Sequence, residues 1–156
     1  MVNQKLPMRN GVGVIIFNRE NKVFVAKRKD NPIDKWQMPQ GGVDEGENYL
    51  SAMKRELFEE TSITSIEILK EIEGFFEYEL PKNLLGVIWK GRYRGQKQKW
   101  FITKFIGDEK EINLDTKHPE FIDWKWIEPK KLPEVIVNFK KKLYIDLLKE
   151  INLFID

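Results

Sequence analysis

The chain has no cysteine and a single histidine, His118, in 156 residues. Without thiols there is no disulfide, no thiolate nucleophile, no Cys-ligated zinc and no iron–sulfur cluster. That agrees with a reducing cytoplasm, the expected compartment. One imidazole excludes a two-His zinc motif and any mechanism that needs two imidazoles. Arginine is scarce, 6 residues against 21 lysines, which makes each arginine a candidate for a specific task. The longest uninterrupted run of apolar residues and glycine covers residues 11–17, whereas a membrane-spanning helix needs about 20. The opening MVNQKLPMRNG lacks the apolar stretch of a signal peptide. The chemistry left to the chain is that of carboxylates, hydroxyls, lysines, arginines and hard cations such as Mg²⁺, which prefer oxygen ligands.

What is present points to a packed protein. Hydrophobic residues make up 41% of the chain, with 10 Phe and 5 Trp, the large side chains that disordered segments lack. The length suits one domain over residues 1–156. The 27 basic and 25 acidic residues almost cancel, but they are segregated. Lys90, Arg92, Arg94, Lys97 and Lys99 fall in ten residues without an acid, and Lys140, Lys141 and Lys142 form a second run. The acids gather at Asp44, Glu45 and Glu47, then at Glu56, Glu59 and Glu60. Taken alone, each run also suits a solvated face.

Residues 11–18 and 22–28 read as two strands joined by a polar turn at 19–21. Asn31 and Pro32 mark a turn, and residues 36–39 a short extended piece leading into Gly41 and Gly42. Residues 47–61 have helical character. Residues 66–80 read as one or two strands with a bend at Gly74, residues 100–106 and 121–127 as strands, and residues 132–155 as mainly helical. Interleaved strands and helices with at least one hairpin imply an α/β or α+β fold with a mixed sheet.

In the 47–61 helix, Leu50, Met53 and Leu57 form an apolar stripe at i, i+3 and i+7. Glu56, Glu59 and Glu60 lie beside it at i, i+3 and i+4, so their Cβ atoms share one surface. That placement is locally unfavourable. Like charges at this spacing repel, and the C-terminal end of a helix dipole disfavours anions. It fits either a solvated acidic helix end or a site where a divalent cation turns repulsion into coordination. Gly41, Gly42 and Gly46 precede the helix, and such a loop lets backbone N–H groups approach a phosphate.

The spacing Gly41, five residues, Glu47, seven residues, Arg55-Glu56-Leu57-Phe58-Glu59-Glu60, then Ser62 and Ile63 resembles the Nudix box. One fixed position departs: Ser62 stands where that family has glycine. Further segments, among them Gln40-Gly41-Gly42, Gly95 to Phe101, Pro119-Glu120-Phe121 and Phe139-Lys140, resemble the bacterial branch of the family that removes pyrophosphate from RNA 5′ ends. That branch overlaps with dinucleoside polyphosphate hydrolases.

The resemblance implies an α/β/α sandwich around a mixed sheet. It implies Mg²⁺, or Mn²⁺ in its place and more than one ion, bound by Glu56, Glu59, Glu60 and Glu120. Glu56 is the candidate for positioning or deprotonating the attacking water, and Arg55 for orienting the carboxylates. The substrate-contact candidates are Arg9, Arg28, Gln40, Gly41, Gly42, Tyr78, Lys97, Gln98, Lys99, Phe139 and Lys140, with Phe139 placed to stack a base. Such a site neutralises polyphosphate charge and aligns water without a His or Cys nucleophile. The implied reaction converts triphosphorylated or diphosphorylated RNA to 5′-monophosphate RNA. Hydrolysis of diadenosine polyphosphates and a non-catalytic nucleotide- or RNA-binding module are the alternatives. No membrane and no stable protein partner are expected.

Overall fold

Strand β1 (Met8–Phe17) is buried from Gly11 onward on both of its faces. Val12, Val14 and Ile16 point into one core and Ile15 and Phe17 into the other, as the period of two dictates. A strand buried on both faces needs cover above and below. The structure, a computed structural model, describes residues 6–30 and 34–155 and supplies that cover. The turn expected at Asn31 and Pro32 lies outside the described residues.

Strand β1 turns through residues 18–22 into β2 (Val23–Arg28), with Asn18 Oδ1 accepting from the Glu20 and Lys22 amides. Strands β3 (Gln40–Gly42), β4 (Ile66–Glu71), β5 (Phe76–Glu79), β6 (Gly95–Phe105) and β7 (Phe121–Ile127) complete one sheet among the described residues. Its order is β4-β6-β1-β2-β7, with β3 on β1 and β5 on β6. The β1–β6 pair is parallel, from Met8 opposite Gly95 to Phe17 opposite Lys104, and the other pairings are antiparallel. Helix α1 (Tyr49–Thr61) covers one face through Ala52, Met53 and Leu57. Helix α3 (Lys141–Ile155) covers the other through Leu143, Tyr144, Leu147 and Ile151, next to the short helix α2 (Leu132–Val135). The layers are α/β/α and the sheet is mixed, as expected. Among the described residues no helix is long and apolar enough to cross a membrane.

Two local expectations change. Leu50 shares the inward face of α1 but stays 38% exposed, because burial needs position along the axis as well as the correct face, and Leu50 sits in the opening turn. Strand β6 begins at Gly95 rather than at Trp100. The basic stretch 95–99 is therefore paired strand, with its side chains sent alternately to opposite faces. The region from 132 to 155 is mainly helical, as expected, with one break. Ile136 and Val137 are extended, with ψ of 153° and 148°, and a 3₁₀ turn, Asn138–Lys140, leads into α3.

Tyr144 is fully buried, and its hydroxyl accepts from the Met38 amide at 2.8 Å. Tyr144→Phe leaves that buried N–H unpaired, a loss of about 1–3 kcal/mol. The expected result in thermal unfolding is a Tm several degrees lower with an unchanged circular dichroism spectrum.

Candidate active site

The site begins with two glycines that only glycine satisfies. Gly41 and Gly42 of β3 lie opposite Val12 and Gly11 of β1. A Cβ on Gly41 would strike the Glu56 carboxylate, and one on Gly42 the Arg9 guanidinium. The missing side chains therefore let a carboxylate and a cation close directly onto the backbone of β3.

Arg55 ties this strand to α1. Its Nε and Nη2 donate to the two oxygens of Glu47 at 2.8 and 2.9 Å, and Nη2 also donates to the Gly42 carbonyl at 2.9 Å. Nη1 donates to Glu56 Oε1 at 2.9 Å and to Glu59 Oε1 at 3.2 Å. The Arg55 bonds, the Asp44 amide and the Arg55 charge hold the Glu47 carboxyl down to about 2. Glu47 itself precedes the helix, whose N-cap is Asn48, with Oδ1 accepting from the Ser51 amide at 2.8 Å.

The three box glutamates do not share one environment. By helical angle Glu60 falls about 20° from Met53, in the middle of the buried arc, and it is only 4% exposed. Glu59 lies at the rim, 54% exposed and turned to Arg55. Glu56 faces Gly41. Burial is the main push raising the Glu56 carboxyl, reinforced by Glu59 and Glu120 and opposed by Arg55. Burial, a hydrogen bond with Glu120 and the charges of Glu120 and Glu56 raise Glu60 well above the carboxylate range.

Glu60 Oε1 is buried without a hydrogen-bond partner. A buried acceptor crowded by two other carboxyls is suited to a cation, and an all-oxygen donor set suits a hard divalent ion. Among the described residues the carboxylates are not drawn into a closed ligand shell, as expected of like charges with Arg55 occupying Glu56 and Glu59. The residues fit such an ion.

Glu56, Glu60 and Glu120 line a cleft of about 800 Å³. Arg9, Arg28, Gln40, Gly41 and Gly42 line it too, together with Tyr78, Phe139 and Lys140. Arg28 is clamped to Asp30 by two bonds of 2.9 and 3.0 Å. The Tyr78 and Phe139 rings are 5.8 Å apart, and Lys140 Nζ lies 4.9 Å from the Tyr78 ring. Burial, helped by the Arg28 charge and opposed by Glu60, lowers Lys140 to about 7. The extended pair Ile136 and Val137 turns the chain so that Phe139 and Lys140 face the cleft.

Five expected site residues stand outside this cleft. Arg55, which anchors its carboxylates, and Glu59 are two of them. Lys97 and Lys99 point to the α1 side of the sheet, with their Nζ atoms 4.5 and 5.2 Å from the Phe75 ring, and Lys99 is also 3.6 Å from Glu71. Gln98 is fully buried. The period of two along β6 is the reason. The cleft also contains residues that the sequence reading passed over, notably Leu84, Ile88 and Trp89. Trp89 lies under Arg9, 5.2 Å from ring to guanidinium, and has a left-handed φ of 53°. No motif marks that segment. The signal available was one more Trp in a basic run.

Ser62, which replaces the box glycine, is the left-handed C-cap of α1 with φ 66°. That conformation costs a non-glycine residue about 1 kcal/mol. Ser62 Oγ donates to the Asn113 carbonyl at 2.9 Å, a bond of comparable size. The helix therefore ends as a glycine would end it.

A mixed sheet between two helical layers, with buried carboxylates meeting a basic, aromatic-walled cleft, is the build of a phosphate-handling hydrolase. Comparison with known proteins gives the family. The NUDIX domain model matches residues 7–147. The chain is 58% identical over 147 residues to the RNA pyrophosphohydrolase of Pelagibacter ubique, covering 94% of this chain and 93% of that one. It is 47% identical to the RNA pyrophosphohydrolase of Roseobacter denitrificans, covering 92% and 91%. In fold it is similar to the Escherichia coli dihydroneopterin triphosphate pyrophosphohydrolase, with a TM-score of 0.69 at 20% identity over 94% of this chain and 99% of that one. The chain belongs to the Nudix family of hydrolases.

Because Glu47 is held low by Arg55, its contribution to stability is complete above its ordinary value of 4.5 and is lost as pH falls towards about 2. Glu47→Gln is expected to lower Tm near neutral pH. The gap from the wild type should close across that acid window when both proteins are melted at a series of pH values.

Proposed function

We propose that this chain hydrolyses the 5′-terminal phosphates of triphosphorylated or diphosphorylated RNA and leaves a 5′-monophosphate. The observation that carries this reading is the continuity of the cleft. Glu56, Glu60 and Glu120 share it with Arg28, Lys140 and the Tyr78–Phe139 pair. The carboxylates and cations suit a polyphosphate, and the aromatic pair suits a stackable nucleotide. The names carried by both relatives agree with it.

In this reading Glu56, Glu60 and Glu120 hold divalent cations, Mg²⁺ or Mn²⁺ and more than one ion. Glu59, held by Arg55 at 3.2 Å, would be a further ligand. A bound cation supplies positive charge against the polyphosphate oxygens. Glu56, steadied by Arg55 and made more basic by burial, takes a proton from the water that attacks phosphorus. As the new P–O bond forms, the bond to the departing phosphate group breaks, and Arg28 and Lys140 offset the charge that accumulates there. Phe139 stacks the first base, a contact every base offers. The chain works as one domain in the cytoplasm, without a stable protein partner.

The test is a substrate panel with Mg²⁺: RNA carrying a 5′-triphosphate or a 5′-diphosphate, and diadenosine tetraphosphate. The expected result is a higher kcat/KM on RNA, with monophosphorylated RNA as product. Glu60→Gln should lose about 10³-fold in kcat, the scale of several kcal/mol of charge stabilisation, while remaining folded. RNA left intact, or a higher kcat/KM on the dinucleotide, would refute the assignment. Unchanged turnover in Glu60→Gln would remove the carboxylate from the mechanism.

A further inference from the structure

Arg9 and Arg28 both line the cleft, but they are held differently. Arg28 is paired with Asp30, and Arg55 beside the cleft with Glu47, Glu56 and Glu59. Among the described residues no carboxylate pairs with Arg9. Its guanidinium lies over the Trp89 ring, 5.2 Å from the centroid, and its Nη2 stands against β3 where a Cβ on Gly42 would strike it. An aromatic face attracts a cation without using its N–H donors, whereas a carboxylate occupies them and offsets the charge. Arg9 therefore enters the cleft held in direction, with its charge and its donors uncommitted among the described residues.

The chain meets a conformational cost to put the ring there. Trp89 and Lys90 are both left-handed, with φ of 53° and 57° and ψ of 33° and 27°. Residues other than glycine avoid this region, and two in succession persist only where surrounding contacts hold them. Packing alone does not require it. Leu84 and Ile88 of the same loop reach the same core without a positive φ. The loop also closes beside Arg9. The Arg94 amide donates to the Pro7 carbonyl at 3.0 Å, and Arg94 Nη1 to the Leu6 carbonyl at 2.6 Å. Tyr93 lies edge-on to the Trp89 ring at 6.1 Å. Ring and guanidinium are thus fixed from the two strands that carry them, β1 and β6, at their common end.

We propose that Trp89 is a positioning residue. Its ring holds the Arg9 guanidinium against the Gly42 backbone, so that the planar fork of Arg9 meets non-bridging oxygens of the 5′-terminal polyphosphate with its full charge. This rests on the reading that the cleft takes such 5′ ends. It gives a role to a loop that no motif marks.

The experiment uses the full chain with Mg²⁺ and RNA carrying a 5′-triphosphate. Trp89→Leu, Trp89→Phe, Arg9→Gln and the Arg9→Gln/Trp89→Leu double variant are compared with the wild type. Trp89→Leu should raise KM about tenfold, the scale of a desolvated cation–π contact, with little change in kcat. Trp89→Phe keeps an aromatic face and should recover most of that loss. The double variant should be no worse than Arg9→Gln, because the ring acts only through Arg9. Wild-type KM in Trp89→Leu, no recovery in Trp89→Phe, or multiplied losses in the double variant would overturn the proposal. A readout independent of turnover is the Arg9 Nε–H signal by NMR, which the ring current of Trp89 displaces upfield. Trp89→Leu should remove that displacement. Titration with inorganic triphosphate should move the Arg9 signal in the wild type, and about tenfold more triphosphate should be needed in Trp89→Leu. If the wild type does not hydrolyse the RNA, the functional assignment fails, and the Arg9 signal alone decides the role of Trp89. A signal unmoved by Trp89→Leu, or equal triphosphate affinity with and without the ring, overturns it in that case as well. If Trp89→Leu does not fold, Trp89→Gly takes its place with the same expected outcomes, since glycine accepts the left-handed backbone and lacks the ring.

Discussion

One guanidinium joins the two halves of the site. Arg55 donates to both oxygens of Glu47, to the Gly42 carbonyl, to Glu56 and to Glu59. Remove it and the glycine strand, the loop before α1 and the carboxylate face of α1 have no common anchor. The planar fork of arginine makes this possible, because its five donors leave in fixed directions. A lysine in the same place would offer a point charge and lose the geometry. The rarity of arginine in a lysine-rich chain is explained here: Arg55, Arg28 and Arg9 each occupy a position where direction matters, over carboxylates or an aromatic ring.

The carboxylates that Arg55 does not neutralise carry the electrostatic tension of the molecule. Glu60 is buried beside Glu120 and Glu56, with one oxygen unpartnered. A chain selected only for stability would place an apolar residue in the middle of a helix's buried arc. Glu56 is kept next to backbone because Gly41 has no side chain. The local conflicts visible along the helix, anions at its C-terminal end and like charges one turn apart, are the same conflicts seen in three dimensions. They gather where a cation resolves them.

The aromatic and lysine lining of the cleft is built on a different principle. Phe139 and Lys140 reach it because the chain is extended at Ile136 and Val137 before α3 begins. A continuous helix through this region would carry both residues along its own axis. Instead a buried lysine is held over an aromatic ring, with Arg28 and Glu60 as its charged neighbours. On β6 the strict alternation of a strand separates neighbours in sequence. Lys97 and Lys99 go to the α1 side, and Gln96 and Gln98 go inward. A run that looks like one surface in sequence is divided by the pleat, its lysines to one face and its glutamines to the other.

The α/β/α layers were implied by the family resemblance, whereas the sequence by itself determined the mixed sheet with helices packed on it, the carboxylate helix and its glycine approach. These features are local or periodic: apolar repeats of two and of about 3.6, glycines before a helix, and a fixed spacing of charged residues. Position along the helix axis and rotation around it decided which members of the motif are used. Glu60 is buried and Glu59 is not, although both sit in the same turn, and Leu50 stays half-exposed on a face that is otherwise covered. Only the tertiary structure brought Glu120, Tyr78, Phe139 and Lys140 to one cleft with Glu56 and Glu60, because they arrive from separate elements and no spacing along the chain encodes their meeting. It also removed Lys97, Gln98 and Lys99 from that cleft, since which way a strand residue points depends on where the strand begins and what it pairs with.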